Sequence, residues 1–324
     1  MAAEHETTPE LPETRAALGL GIRLHFALPG IPRRRRPPGA PTIDIRAVST
    51  PQLLERWSGP SGDPLWQTTF EGGARYVVQP GHDGDHLIEY AGRPAFHLSA
   101  DGLNLSCADP LTQPASWQRT LTDSVLWTVA LLHGAVLLHA SAVEGPDGAV
   151  AIVAAQGSGK SSLAAQLALD GWPLVTDDIL AVERRGEQIV AHPGPNLMNI
   201  SQDPGIQVAP EALGEVLATF DNHSSREAWV LVRRFSEGDL PLAAVVLLKR
   251  AGNRPASVSR LPATTLDVTP YSLAFRRMPG AQRRRFEAIS DLVERVPVFC
   301  VEAGVDVPPA ELGAILQTKL QKSV

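Results

Sequence analysis

The chain has 324 residues, 44% of them hydrophobic and 20% charged, enough for two domains or one large domain with a smaller companion. A net charge of −6 gives no global pull towards nucleic acid, and no apolar run reaches the roughly 18 residues a membrane span needs. Cys107 and Cys300 have neither metal-ligand spacing nor a disulfide framework, and Met1-Ala-Ala-Glu-His-Glu lacks the basic and apolar stretches of a secretory leader, so a reducing cytoplasm is expected.

By composition, residues 1–42 read as a poorly ordered N-terminal segment. Its basic run Arg33-Arg-Arg-Arg36, before Pro37-Pro38, reads as a solvated linker, with contact to an acidic partner as the alternative. Residues 43–115 read as a small antiparallel β lobe. Its strands are Ala74–Val78, His86–Tyr90, Ala95–Leu98 and Leu103–Ser106, separated by Gly81-His-Asp-Gly84, Tyr90-Ala-Gly92 and Asp101-Gly102. A helix is predicted from Trp117 to His133, with Leu121, Val125, Leu126, Val129 and Leu132 at helical spacing.

Residues 116–324 read as a mixed-sheet α/β domain. The apolar runs Ala135–Val143 and Ala149–Ala155 are joined by the short turn Glu144-Gly-Pro-Asp147-Gly148, so they should be antiparallel neighbours. The second run enters Gln156-Gly157-Ser158-Gly159-Lys160-Ser161-Ser162, with Ala154 where G-x-x-x-x-G-K-[ST] has its first glycine. A helix over 161–170 follows, with Leu163, Leu167 and Leu169 on its core side, and then a strand ending in Asp177-Asp178. That order suits phosphoryl transfer. Loop amides and a helix N-terminus cradle phosphates, Lys160 meets the β- and γ-phosphates, and Ser161 can ligate Mg²⁺. A carboxylate at the next strand end can hold the metal or take a proton. Strand side chains alternate, so Asp177 and Asp178 should point different ways. Plainer readings stand beside these: a Gly/Ser-rich turn capping a helix, aspartates punctuating a strand end, and His139 as a satisfied core histidine.

Further on, Ala181-Val-Glu and Gln188–Ala191 form a strand pair about Arg184-Arg-Gly-Glu187, and Ala243–Leu248 reads as a central strand. Gln282–Val296 reads as an amphipathic helix with Phe286, Ile289, Leu292 and Val293 inward and Arg283–Arg285 as a solvated start. Pro297–Val301 is a final strand and Pro308–Leu320 a closing helix. Arg233-Arg234 and Arg276-Arg277 lie in loop-like segments from which a guanidinium could reach a transferred phosphoryl group, or simply remain at the surface.

Leu138-His139-Ala-Ser, Gly157-Ser-Gly-Lys160-Ser-Ser-Leu and Gly171-Trp-Pro-Leu-Val-Thr-Asp177-Asp178 together resemble the bacterial HPr kinase/phosphorylase family, above all its stand-alone relatives that phosphorylate lasso-peptide precursors. The resemblance is strong over about residues 130–200. It implies a P-loop-containing, HPr-kinase-like domain using ATP and Mg²⁺. Lys160 and the loop amides of Gln156 to Ser162 would bind the nucleotide. Asp177 would be the general base, His139 would orient it, and Ser161 with Asp178 would serve the metal or its water. The Glu-Ile-Arg-Gly and Arg-Pro-Gly-Arg-Asn segments of the HPr enzymes have no counterpart, and His192-Pro-Gly-Pro195-Asn is only loosely similar to the relatives' Pro-Gly-x-Pro segment. The expected activity is γ-phosphoryl transfer to a serine or threonine hydroxyl of a peptide or small protein. A small-molecule hydroxyl kinase and a non-catalytic nucleotide-binding regulator remain open. Nucleic acid and membrane are not expected as partners, and a homo-oligomer is possible.

Overall fold

A computed structural model of the chain describes residues 15–70, 73–112, 115–202, 208–221, 226–262, 264–275, 277–278 and 280–321. Residues 15–42, expected to be poorly ordered, carry regular strands, and residues 1–14 of that segment lie outside the described residues. β1 (Arg15–Ala17) and β2 (Leu20–Leu24) form a hairpin, and β3 (Thr42–Val48) runs parallel to β2. In β3 the buried Ile43 and Ile45 alternate with Asp44, whose carboxylate faces Arg23 and His25. After α1 (Thr50–Arg56), β4 (Trp66–Thr69), β5 (Arg75–Pro80), β6 (His86–Tyr90), β7 (Arg93–Leu98) and β8 (Asn104–Ala108) form an antiparallel meander. It is not a separate antiparallel lobe. β3 also pairs parallel with β8, which joins everything into one eight-stranded mixed sheet, β1-β2-β3-β8-β7-β6-β5-β4.

Arg34 corrects the reading of the basic run as a solvated linker. It is buried, its Nε donates to the Ser236 carbonyl at 2.9 Å, and its Nη1 donates to that of Gly194 at 2.6 Å. The guanidinium also lies over the Phe235 ring, 5.3 Å from its centroid. Burial pushes its pKa down to about 10.

The predicted helix is present as α2 (Ala115–Thr120), one π-helical turn at Leu121–Val125, and α3 (Leu126–Leu132). Trp117, Leu121, Val125 and Val129 are buried in one cluster with Ile22, Ile43 and Phe96 on one side and Leu137, Ile179 and Ala181 on the other. Phe96 stacks on Trp117 at 4.9 Å, and Trp66, Trp127 and Phe275 pack as a ring triad. The helix is therefore core to both parts of the molecule, and the expected boundary near residue 115 falls inside a single packed cluster.

The apolar run before the loop is split at Ala140. β9 (Val136–His139) and β10 (Ser141–Gly145) belong to different stretches of a second sheet, and only β10 pairs with β11 (Gly148–Ala154). α4 (Lys160–Leu169) leads to β12 (Leu174–Thr176), β13 (Ile179–Arg185) and β14 (Gln188–His192). β15 (Leu197–Ser201), a short α5 (Pro210–Leu213), β16 (Gly214–Asp221) and β17 (Arg226–Val232) add a three-stranded sheet, order β15-β17-β16, where the sequence reading has no strands. β18 (Leu240–Arg250) follows, then β19 (Ser257–Leu261), α6 (Thr265–Val268), β20 (Ser272–Leu273), α7 (Ala281–Arg295), β21 (Val298–Ala303) and α8 (Pro309–Gln321). The second sheet runs β12-β10-β11-β18-β14-β13-β9-β20, with β21 beside β18 and β19 on β21. It is mixed: β11, β18 and β21 are parallel and the other pairings antiparallel.

α4 and α8 cover one face through Leu163, Leu167, Leu312 and Leu316, and α7 covers the other through Ile289 and Leu292. Two residues expected inward are not. Leu169 is 39% exposed in the last turn of α4, and Phe286 is 59% exposed at the edge of the stripe formed by Ile289, Leu292 and Val296. Among the described residues no helix is long and apolar enough to cross a membrane.

Candidate active site

β11 is buried along its whole length and ends at Ala154, whose φ stays negative, so the chain leaves the strand without a glycine there. The next turns do need glycine. Gly157 has φ 76° and Gly159 φ 87°, and Gly159 hands the chain to α4 with its carbonyl accepting the first helical bond from Leu163 N at 2.9 Å. The start of α4 carries no side-chain cap, so its first amides are donors for something outside the helix. Ser158 spends its N–H on the Ala155 carbonyl at 3.1 Å and does not line the cleft, unlike Gln156, Gly157, Gly159, Lys160, Ser161 and Ser162.

The paired aspartates sit between β12 and β13. Ile179 N donates to the Asp177 carbonyl at 2.9 Å across Asp178, whose φ is 68°: a three-residue γ-turn with its central residue in the left-handed region. That turn cancels the alternation of an extended strand, and both carboxylates face the same cleft, contrary to the sequence expectation.

Each carboxylate has its own partners. Asp177 Oδ1 accepts from Ser161 Oγ at 2.8 Å and Ser141 Oγ at 2.5 Å, and its Oδ2 accepts from the Asn199 backbone N–H at 3.2 Å. Asp178 Oδ1 accepts from Lys160 Nζ at 2.9 Å and lies 2.8 Å from His139 Nε2. Lys160 Nζ also reaches Ser141 Oγ at 3.3 Å. Two sequence assignments change. His139 meets Asp178 and not Asp177, and the carboxylate beside the Ser161 hydroxyl is Asp177 and not Asp178.

Burial works against ionisation of Asp178, but the Lys160 charge and the His139 hydrogen bond outweigh it and hold the carboxyl well below the usual range. The side chain is walled by protein yet 49% exposed, because it stands at the floor of an open cleft, whereas Lys160 is only 10% exposed.

The cleft measures about 1010 Å³. It is lined by Phe70, just past β4, and Tyr90 of β6, by Phe220 and Asp221 of β16, and by Arg119 of α2 and Asp123 of the π-turn. Asp123 accepts from Asn199 Nδ2 at 3.1 Å and from Thr122 Oγ1 at 2.8 Å. Burial pushes its carboxyl up, against the nearby Arg119 charge. The sequence reading missed Ser141, Asn199, Asp123 and Arg119. Ser141 and Asp123 are polar breaks in apolar stretches, a signal that was present, whereas Asn199 carries none. The arginines it did mark lie elsewhere: Arg233 donates to the Glu211 carbonyl, Arg277 pairs with Asp63, neither Arg233 nor Arg234 lines the cleft, and Arg276 lies outside the described residues.

The donor set fits a hard divalent ion held jointly with phosphates: one hydroxyl and one carboxylate beside a positive-φ amide loop. Among the described residues no group of three or more His, Cys, Asp or Glu forms an all-protein metal cage.

No protein-family model matches the chain, and no curated protein matches it. Among solved structures, the HPr(Ser) kinase/phosphatase from Coxiella burnetii is similar at a TM-score of 0.31 and 14% identity, over 58% of this chain and 95% of that one. A likeness of that size decides neither fold nor activity.

Proposed function

We propose that the chain is a phosphotransferase that moves the γ-phosphoryl group of ATP, with Mg²⁺, to a serine or threonine hydroxyl of a peptide or small protein. The observation that carries this reading is one hydrogen-bonded group, Ser161–Asp177 and Lys160–Asp178–His139, at the start of α4 beside the positive-φ glycine loop. The segment is read as a P-loop. The loop amides around Gly157–Ser162, that of Ser158 apart, would cradle the phosphates, and Lys160 would swing onto the β- and γ-phosphates. Ser161 and Asp177 are suited to hold Mg²⁺, which would offset the charge on the phosphates.

Asp178 suits the general base better than Asp177. Both oxygens of Asp177 are taken, whereas Oδ2 of Asp178 accepts no hydrogen bond from the described residues and His139 fixes its other oxygen. Lys160 drawn onto phosphate would leave Asp178 with His139 alone, and the departing charge would raise its basicity as nucleotide arrives. The acceptor oxygen then bonds the γ-phosphorus while the bond from that phosphorus to the β–γ bridging oxygen breaks. The bridging oxygen leaves on ADP with the electron pair, and the hydroxyl proton passes to Asp178.

A peptide acceptor is favoured by the shape of the site. The cleft is an open trough alongside β16, which ends its sheet, so an extended chain can lie along it. The test is incubation with γ-labelled ATP, Mg²⁺ and a serine- and threonine-containing peptide library. Label should appear on a peptide hydroxyl and fall by on the order of 10²–10³-fold in a folded Lys160→Ala variant. Transfer undiminished in that variant would remove the function from this loop. Label on a small alcohol instead would move the acceptor class, and Mg²⁺-dependent ATP binding with no transfer to anything would leave a nucleotide-binding regulator.

A further inference from the structure

The loss of P–O bonding in phosphoryl transfer spreads negative charge over the transferred group, and a cation aimed at that charge lowers the barrier. Lys160 is one such cation. Among the described residues the cleft walls hold five carboxylates, Asp123, Asp177, Asp178, Asp221 and Glu227, against one lysine, Lys160, and one arginine, Arg119. Arg250 lies near the loop, its Nη1 3.4 Å from where a Cβ on Gly159 would stand, but its Nε and Nη2 are spent on the carbonyls of Gly304, Val305 and Val307 and it does not line the cleft.

We propose that Arg119 is the second cation of the reaction, the guanidinium that contacts the transferred phosphoryl group, an assignment that rests on the phosphotransferase reading above. Arg119 is held facing the cleft by three contacts. Its Nη2 donates to Glu227 Oε2 at 2.7 Å, its Nε lies 3.5 Å from Asp123 Oδ2, and its guanidinium stacks over Phe220 at 4.8 Å from the ring centroid. A short chain of contacts then ties it to the reacting centre. Asp123 Oδ2 accepts from Asn199 Nδ2, and the Asn199 N–H donates to Asp177, the carboxylate beside Ser161. Two residues, Asp123 and Asn199, thus link the guanidinium to the carboxylate that would hold the metal.

A structural ion pair between α2 and the β16–β17 hairpin is the plainer account of Arg119. It explains the Glu227 contact, a pair whose side chains are each 24% exposed and are partly screened by solvent in an open cleft. It does not explain why the one guanidinium in the cleft wall among the described residues is stacked on an aromatic ring, which keeps its planar fork aligned while its hydrogen-bonding edge stays available for exchange. Phosphate oxygens accept from guanidinium bidentately and would replace a carboxylate in that edge.

Slow γ-phosphoryl transfer to water gives an assay that needs no identified acceptor. Arg119→Ala should keep the wild-type Kd for Mg·ATP within about threefold, cut single-turnover hydrolysis by on the order of 10²-fold or more, and lose tight binding of Mg·ADP with aluminium fluoride, which mimics the group in flight. Arg119→Lys keeps the charge and most of the stem, and should restore part of the rate and of the mimic's affinity. It also serves if the alanine variant does not fold. Wild-type hydrolysis and mimic binding in folded Arg119→Ala would overturn the assignment while leaving the phosphotransferase reading intact. So would a loss of thermal stability with unchanged turnover in both variants, the mark of a structural pair. No Mg·ATP binding by the wild-type chain would overturn the reading and the assignment together.

Discussion

Asp178→Asn separates nucleotide binding from chemistry at this site. Asparagine keeps the shape and one acceptor oxygen for His139, but it neither opposes the Lys160 charge nor takes a proton. Loss of a general base lowers the rate by about 10²–10⁴-fold, or roughly 3–5 kcal/mol of barrier. Nucleotide affinity should move the other way. Lys160 must leave its 2.9 Å contact with Asp178 to reach phosphate, so neutralising that carboxylate removes a competitor. Asp178 is 49% exposed, which places the pair near the exposed limit of about 1 kcal/mol, so the gain in Mg·ATP affinity should be fivefold at most. Calorimetric titration with Mg·ATP and single-turnover transfer measure the two effects apart. Binding weakened tenfold, or transfer at the wild-type rate, would refute the roles given to both Lys160 and Asp178.

The same geometry sets a pH signature. In the free protein Lys160 and His139 keep the Asp178 carboxyl low, so its ionised form persists into acid. If Lys160 moves to phosphate in the nucleotide complex, the carboxyl should rise towards its ordinary range. The acid limb of kcat, which reports the complex, should therefore lie at higher pH than the acid limb of kcat/KM for ATP, which reports the free enzyme. Coincident limbs would mean that Lys160 does not leave Asp178.

Three further outcomes follow from other contacts. Asp177→Asn should raise the Mg²⁺ concentration for half-maximal rate by about tenfold or more while the apoprotein keeps its thermal stability, and an unchanged Mg²⁺ dependence would take the metal away from the Ser161–Asp177 pair. His139→Gln should cut turnover by roughly tenfold with melting little altered, because it removes the contact that orients Asp178; a large loss of stability with normal turnover of the folded fraction would make His139 a packing residue. Arg34→Met should destabilise by about 2–4 kcal/mol in denaturant unfolding, since two buried carbonyls lose a charged donor, and a change under about 0.5 kcal/mol would return Arg34 to the surface role its sequence context suggests.

What could be read from the sequence was local. The glycine loop, the helix after it and the strand before it depend on neighbours a few residues away, and Gly157, Gly159, Lys160 and Ser161 stand where the pattern puts them. The mixed sheet followed from one short connection, Glu144–Gly148. The departures came from contacts that local pattern does not encode. Arg34 is buried by Gly194 and Ser236, 160 and 202 residues away, so its four-arginine context gave a surface reading. β1 and β2 looked unstructured because each is five residues or fewer, and they are held by β3 and by the Leu18 amide on the Pro193 carbonyl. Asn199 meets Asp123, and Glu227 meets Arg119, only through folding of the β15–β17–β16 sheet against α2 and its π-turn, and none of them lies in a motif.

The carboxylate pair shows most plainly how a local irregularity becomes a site. His139 pairs with Ile179 and Ala142 with Thr176 in one antiparallel register, which sets Ser141 opposite Asp177 and Ala140 opposite Asp178. At those two steps the ladder opens. One strand bends at Ala140, where it passes from β9 to β10, and its partner makes the γ-turn at Asp178. A regular ladder would have sent one aspartate to each face of the sheet. Opened, it sends both to the cleft and gives them different neighbours from the two arms of the same bent strand: Ser141 from β10 for Asp177, His139 from β9 for Asp178. Lys160 stands between, touching Ser141 and Asp178. Two adjacent residues of one type thereby acquire unlike surroundings, one accepting three hydrogen bonds from two serines and a backbone amide, the other tied to a lysine and a histidine. The left-handed backbone at Asp178 costs on the order of 1–3 kcal/mol, and such strain persists where the surrounding structure over-determines it, as the two ladder arms do here.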